Sequence, residues 1–153
     1  SNRVFPGIRF SKESVERADW ALELVGMYDE SDMPVDTLPV YKRKMLMIAG
    51  ALSTNPLILM MDEPVGGLNP NEIDDIMEIV RKVRDAGVTI LMIEHVMRFL
   101  VTLSDRIIIM HHGKNIYDGK PSELASDKTV VDVYLGEGAS ELIADALGDA
   151  GDE

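Results

Sequence analysis

The stretch Leu57-Ile58-Leu59-Met60-Met61 constrains this chain more than any other, because it is apolar without a break and stops at Asp62-Glu63. Pro56 bounds its other end. The run is too short for a helix and lacks the alternation of a strand with one wet face. It therefore reads as a strand inside a parallel sheet, covered on both sides. A second apolar run, Val88 to Ile93, follows a stretch with helical spacing. Between them, Asn69-Pro70-Asn71-Glu72 has the order of a helix start: Asn as N-cap, Pro at the first helical position, an acid at the third. That helix carries Ile73, Ile76, Met77, Val80 and Val83 on one face and ends at Gly87. Strand, helix, strand makes a right-handed βαβ unit, whose two strands open their C-terminal ends on one edge. Asp62-Glu63 and Glu94-His95 close the two strands, so these four polar residues are expected on the rim where open α/β sheets bind ligands.

The flanking segments follow the same logic. Val15, Ala18, Leu22 and Val25 give residues 14–25 an amphipathic spacing, with Gly26 as the stop. Leu46, Ile48, Ala49 and Leu52 mark a largely buried helix that ends near Ser53-Thr54-Asn55-Pro56. A helix over about Val96 to Leu103 leads to a third apolar run, Arg106 to Met110, expected as a further strand of the same layer. Gly113 then predicts a hairpin turn into a short strand around Ile116-Tyr117, and short helices are expected over 121–126 and 128–135. Trp20 falls close to the buried face of the first helix and is expected to be packed. Met45, Met47, Met60, Met61, Met77, Met92 and Met110 are expected to fill gaps in the core. His111 and His112 sit on a turn without the ligand spacing of a zinc site.

Composition narrows the function classes. The net charge of −12 argues against a nucleic-acid partner, and the one basic run, Lys42-Arg43-Lys44, is too short to reverse that. Residues 136–153 hold six acids and no base, so half the excess charge sits in a Gly/Ala-rich tail. The tail reads as a solvated terminus; the alternative is a short partner-binding helix using Leu142, Ile143, Ala146 and Leu147. With no cysteine there is neither a disulfide framework nor a thiolate metal site. No apolar run approaches the ~20 residues of a membrane-spanning helix. A cytoplasmic setting fits.

An apolar strand ending in Asp-Glu is the Walker B pattern. The Asp suits Mg²⁺ on nucleotide phosphates, because a hard cation takes oxygen ligands and keeps several waters. The Glu, one residue on, is placed to polarise an attacking water. On the dipeptide alone, a pair of solvated acids explains as much. Order and spacing change that. The series Leu57 to Pro64, Gly66-Gly67-Leu68-Asn69-Pro70, Ile93-Glu94-His95 and Ser104-Asp105-Arg106 resembles an ABC ATPase from its Walker B strand onward, over roughly residues 10–136. Within the family, Ile93 to Met97, Gly119-Lys120-Pro121-Ser122-Glu123 and Tyr134-Leu135-Gly136-Glu137 look most like the ATP-binding subunits of branched-chain amino-acid importers. Related lipopolysaccharide-export ATPases end similarly.

The resemblance implies a fold and a set of roles. The fold would be the C-terminal part of a RecA-like P-loop NTPase core, with parallel strands and flanking helices, plus a remnant of the ABC helical subdomain. Residues 1–53 would end that subdomain, 54–136 would be the C-terminal half of the core, and 137–153 the acidic tail. Asp62 would bind Mg²⁺, through water; Glu63 would be the general base; Gly66, Gly67, Leu68 and Asn69 would form the D-loop. His95 would be the switch histidine, on the γ-phosphate and the attacking water. Implied cofactors are ATP and Mg²⁺. Implied partners are a second ABC ATPase subunit, identical or different, and transmembrane permease subunits on the inner face of the membrane.

Two departures accompany the resemblance. Nothing fits Gly-x-x-x-x-Gly-Lys-Ser/Thr, the loop that cradles phosphates, and the upstream glutamine loop is also missing. The chain reads as a fragment beginning inside the helical subdomain, unlikely to hold ATP by itself. Where the family has Leu-Ser-Gly-Gly-Gln, this chain has Leu38-Pro39-Val40-Tyr41-Lys42. Val40 and Tyr41 place side chains where close backbone approach is needed, and Pro39 removes a donor. Lys42 is expected to restore some positive charge. The competing reading is a catalytically degenerate domain that dimerises or regulates.

Overall fold

The computed structural model describes residues 10–127 and Val130. The chain divides into two compact units, the first ending at Met92 and the second beginning at Ile93. The tail from 137, the Tyr134 to Glu137 motif and nearly all of the 128–135 segment lie outside the described residues.

In the first unit, helix α1 spans Lys12–Leu24. Ser11 caps it, its hydroxyl accepting from the Ser14 amide at 3.1 Å. Gly26 ends it with φ +71°, a left-handed value that glycine adopts without a Cβ penalty. The buried face differs from the expected one: Ala21, Leu22 and Val25 are buried, whereas Val15 and Trp20 are exposed. Trp20, next to fully buried Ala21, therefore lies on the outer side of α1. Short 3-10 turns at Tyr28–Glu30 and Val35–Thr37 lead to helix α2, Val40–Leu52. Met45, Ile48, Ala49 and Leu52 form the buried stripe of α2, and α1 packs against it. Strand β1 is Ile58–Asp62, helix α3 Pro70–Asp85 and strand β2 Thr89–Ile93.

β1 and β2 pair in one sheet. The Thr89 amide donates to the Leu57 carbonyl at 3.0 Å, joining the starts of the two strands, so they run parallel with α3 as the crossover. The expected helix start is realised in full. Asn69 Oδ1 accepts from the Glu72 amide at 3.1 Å, and Glu72 Oε2 accepts from the Asn69 amide at 2.9 Å. Ile76, Met77, Ile79, Val80 and Val83 are buried along α3. The expected double covering of β1 is not seen. Leu59 is buried, but Leu57 is 86 % and Met60 71 % exposed. Met47, at 75 %, and Met110 are exposed too, so gap-filling explains Met45 and Met77 but not these.

In the second unit, α4 (Met97–Leu103) precedes a hairpin of β3 (Ile107–His111) and β4 (Lys114–Gly119). Among the described residues the third apolar run, β3, pairs antiparallel with β4, the hairpin expected from Gly113. The cause is local. His112 and Gly113 both have positive φ, +47° and +75°, the signature of a two-residue turn that folds one strand back on the other. Val101, Ile107, Ile109, Tyr117, Leu124 and Val130 form this unit's core. Arg106 grips Asp118 through two bonds, 2.6 and 2.7 Å.

Candidate functional site

The acid pair sits at the turn that leaves β1. Asp62 is the last strand residue and is exposed; Glu63 follows, also exposed, with φ +45°. A left-handed glutamate is uncommon, and the following Pro64 disfavours helical values of either hand at the residue before it. Such a conformation costs on the order of 1–3 kcal/mol and persists only where the surroundings fix it. Here the fixing groups are visible. The Glu63 carbonyl accepts from the Gly66 amide at 3.2 Å and from the Lys44 ammonium at 3.1 Å. Val65, 1 % exposed, anchors the middle of the loop. The Leu68 amide then donates to the Val65 carbonyl at 3.2 Å, and Asn69 begins α3. Glu63 to Asn69 is thus two successive tight turns locked between a strand and a capped helix. Of its two glycines only Gly67, at φ +77°, has a backbone that demands one. A Cβ on Gly66 would meet Glu63 atoms at 3.5–3.8 Å, ordinary contact.

The segment Leu38 to Lys42 forms the approach and first turn of α2. Leu38 is buried, Pro39 is the N-cap residue, and Val40 is exposed. The other two side chains are engaged within the unit. The Tyr41 hydroxyl donates to Asp75 Oδ2 on α3 at 3.0 Å. Burial, then the hydrogen bond and charge of Asp75, push its pKa up to about 12. Lys42 pairs with Glu30 at 3.0 Å, both side chains roughly a quarter exposed. Arg43 donates to the Leu38 carbonyl at 2.7 Å. With Lys44 on Glu63, every cation of the basic run is committed to a contact inside the unit.

His95 lies in the second unit, just after β2, with its side chain 63 % exposed. The preceding Glu94 has a side chain with no exposure at all. Its Oε2 accepts from the His95 amide at 2.7 Å and the Val96 amide at 3.0 Å, and lies 3.4 Å from His95 Nδ1. Sequence reasoning assigned no role to Lys44, Asp75 or Glu94. The only signals were a basic run in an acidic chain and an acid placed next to the histidine.

The chain is 37 % identical over 130 residues to the branched-chain amino acid transport ATP-binding protein BraF of Pseudomonas aeruginosa, covering 84 % of this chain and 51 % of that protein. It is 35 % identical over 130 residues to LivG of Escherichia coli, with the same name and the same coverage of 84 % and 51 %. A solved ATP-binding cassette of an ABC transporter, MJ1267 in its ADP conformation, superposes with a TM-score of 0.76 at 32 % identity, over 85 % of this chain and 53 % of that one. The chain belongs to the ABC ATPases. No family model matches it. As an ABC ATPase it spans about half the length of the curated relatives it matches.

Among the described residues of this ABC ATPase, no three carboxylates, imidazoles or thiols converge to hold a metal ion. A cation at Asp62 would take most of its ligands from phosphate and water. That fits Mg²⁺, which keeps several waters and is commonly bound through one or two carboxylates plus nucleotide phosphates.

Proposed function

We propose that the protein carrying this chain is the ATP-hydrolysing subunit of an ABC transporter serving branched-chain amino-acid uptake. One observation carries the reading: the turn after β1 holds Glu63 in a left-handed conformation between Asp62 and the capped start of α3, in a chain 35–37 % identical to branched-chain amino acid transport ATP-binding proteins. Its working parts would be Asp62 for Mg²⁺, Glu63 as general base, Gly66, Gly67, Leu68 and Asn69 as the D-loop, and His95 as the switch histidine. Bound Mg²⁺ would neutralise phosphate charge. Glu63 would orient a water and take its proton, and the fixed turn spares the carboxylate from having to find its position. The partners would be a second ATPase subunit and membrane permeases. No helix among the described residues is long and apolar enough to cross a membrane itself. The chain has no Gly-x-x-x-x-Gly-Lys-Ser/Thr loop, so these residues alone are expected not to retain ATP.

The test is the ATPase rate of the full-length protein, alone and with its partner, against Glu63→Gln. A fall of about 100-fold or more is expected, in the range removed with a general base; equal rates would remove Glu63 from that role. Leucine uptake by cells lacking the gene tests the solute: undiminished uptake would refute it.

A second reading has its own support. Tyr41 and Lys42, where the family has a glycine and a glutamine, are tied to Asp75 and Glu30. We infer from this that the signature half-site is degenerate, so that this subunit works in an asymmetric pair or as a dimerising module. Full activity of the purified subunit as a homodimer would exclude it.

A further inference from the structure

Acids outnumber bases 27 to 15 in this chain, yet the Lys44 ammonium is directed at a backbone carbonyl, that of Glu63, at 3.1 Å. A long side chain loses rotamer freedom when it is held, so a lysine keeps such a contact only where the bond offsets that loss. A charged donor makes the bond stronger than a neutral amide would. Lys44 also has a firm base. It leaves α2 next to Met45 in the buried stripe of that helix, and α1 packs against α2.

The oxygen it reaches belongs to a residue whose backbone needs support. Glu63 has φ +45° and precedes Pro64, a combination that lasts only where the surroundings impose it. The Gly66 amide, at 3.2 Å, closes the turn on itself. That bond travels with the turn and cannot fix where it stands against the rest of the first unit. Lys44 can, because it comes from a packed helix 19 positions earlier. Buried Val65 holds the turn by a side chain, whereas Lys44 holds the peptide group attached to the Glu63 Cα.

We propose that Lys44 is a positioning residue for Glu63: its ammonium holds the peptide that leaves the glutamate and keeps the left-handed turn in the setting that aims the carboxylate at water. The proposal rests on the reading of Glu63 as general base, and adds a residue of α2 to the parts that hydrolysis needs. Lys44→Met is the informative variant, since it keeps most of the stem and removes the ammonium. Lys44→Arg returns a charged donor of similar reach.

The test uses the full-length protein. In Lys44→Met, kcat for ATP should fall about 10-fold with KM within about twofold, the pattern of a misplaced group rather than a lost binding contact. Lys44→Arg should recover kcat to within about threefold of wild type. Amide exchange followed by NMR reads the turn without reference to catalysis. Gly66 should exchange about 10-fold faster in Lys44→Met, with the amides of α3 unchanged. In a Glu63→Gln background Lys44→Met should lower the rate no further, because its effect runs through the carboxylate. Unchanged kcat or unchanged Gly66 exchange in Lys44→Met would overturn the proposal. So would an equal fall in the Glu63→Gln background, an arginine variant as slow as the methionine one, or faster exchange throughout α3, which would mean a general loss of stability. Failure of the underlying reading looks different. Glu63→Gln as fast as wild type removes the general base, while Gly66 exchange still judges whether Lys44 holds the turn.

Discussion

Tyr41→Phe tests whether the segment before α2 is locked to α3. The Tyr41 hydroxyl donates to Asp75 at 3.0 Å, and burial, then that bond and the Asp75 charge, push its pKa up from the ordinary 10.0 to about 12. A two-unit shift corresponds to at most about 3 kcal/mol. Tyr41 is only partly buried, so solvent screening reduces this to roughly 1 kcal/mol, the size of a half-exposed charge-assisted hydrogen bond. The sign follows from the raised value. The folded protein holds the phenol proton more tightly than the unfolded chain. The stabilisation is therefore complete below pH 10 and disappears between pH 10 and about 12. Urea unfolding of wild type and variant at matched pH provides the measurement. The difference in stability should stay near 1 kcal/mol up to pH 10 and then shrink toward zero. A double-mutant cycle with Asp75→Asn should return most of it as coupling. A pH-independent difference, or coupling indistinguishable from zero, would refute the lock.

Three further outcomes are expected. Asn69→Ala removes the side-chain acceptor of the capping box and should cost about 1 kcal/mol in urea unfolding; no change in midpoint would mean that the cap is dispensable. Glu63→Gly relieves a left-handed glutamate, and after glycine's own entropic cost of about 0.5–1 kcal/mol it should leave the melting temperature equal or higher. A drop of several degrees in calorimetry would show that the turn is not strained. Phe99, fully buried in α4, should cost about 3–5 kcal/mol on truncation to Ala, visible as loss of native circular dichroism on mild heating; a stability within 1 kcal/mol of wild type would contradict its burial.

What the sequence made legible was local. The Asn69-Pro70-Asn71-Glu72 start and the Gly113 turn were readable because their signals are made by residues that touch each other within four positions. The βαβ order followed from two apolar runs and one amphipathic stretch. Val15, Trp20, Met47 and Met60 were misjudged because apolarity says which residues can be buried, not which neighbours exist to bury them. The third run's strand character was legible, and so was the two-residue turn that pairs it with β4. At the candidate site, Asp62, Glu63 and His95 were legible as a pattern. Their supports were not. Lys44 reaches Glu63 across 19 positions and Tyr41 reaches Asp75 across 34, distances over which one sequence carries no pairing signal.

The carbonyl oxygen of Glu63 is a meeting point. It takes one hydrogen from the loop that follows it and one from a helix that precedes β1. Lys44 sits only two residues past the segment Leu38 to Lys42, so anything that draws that opening turn aside also slackens the ammonium's hold on the oxygen. The glutamate would then be steadied by the Gly66 amide with one tether fewer. A side chain meant for chemistry would register, through a single backbone atom, the posture of a helix that comes before its own strand.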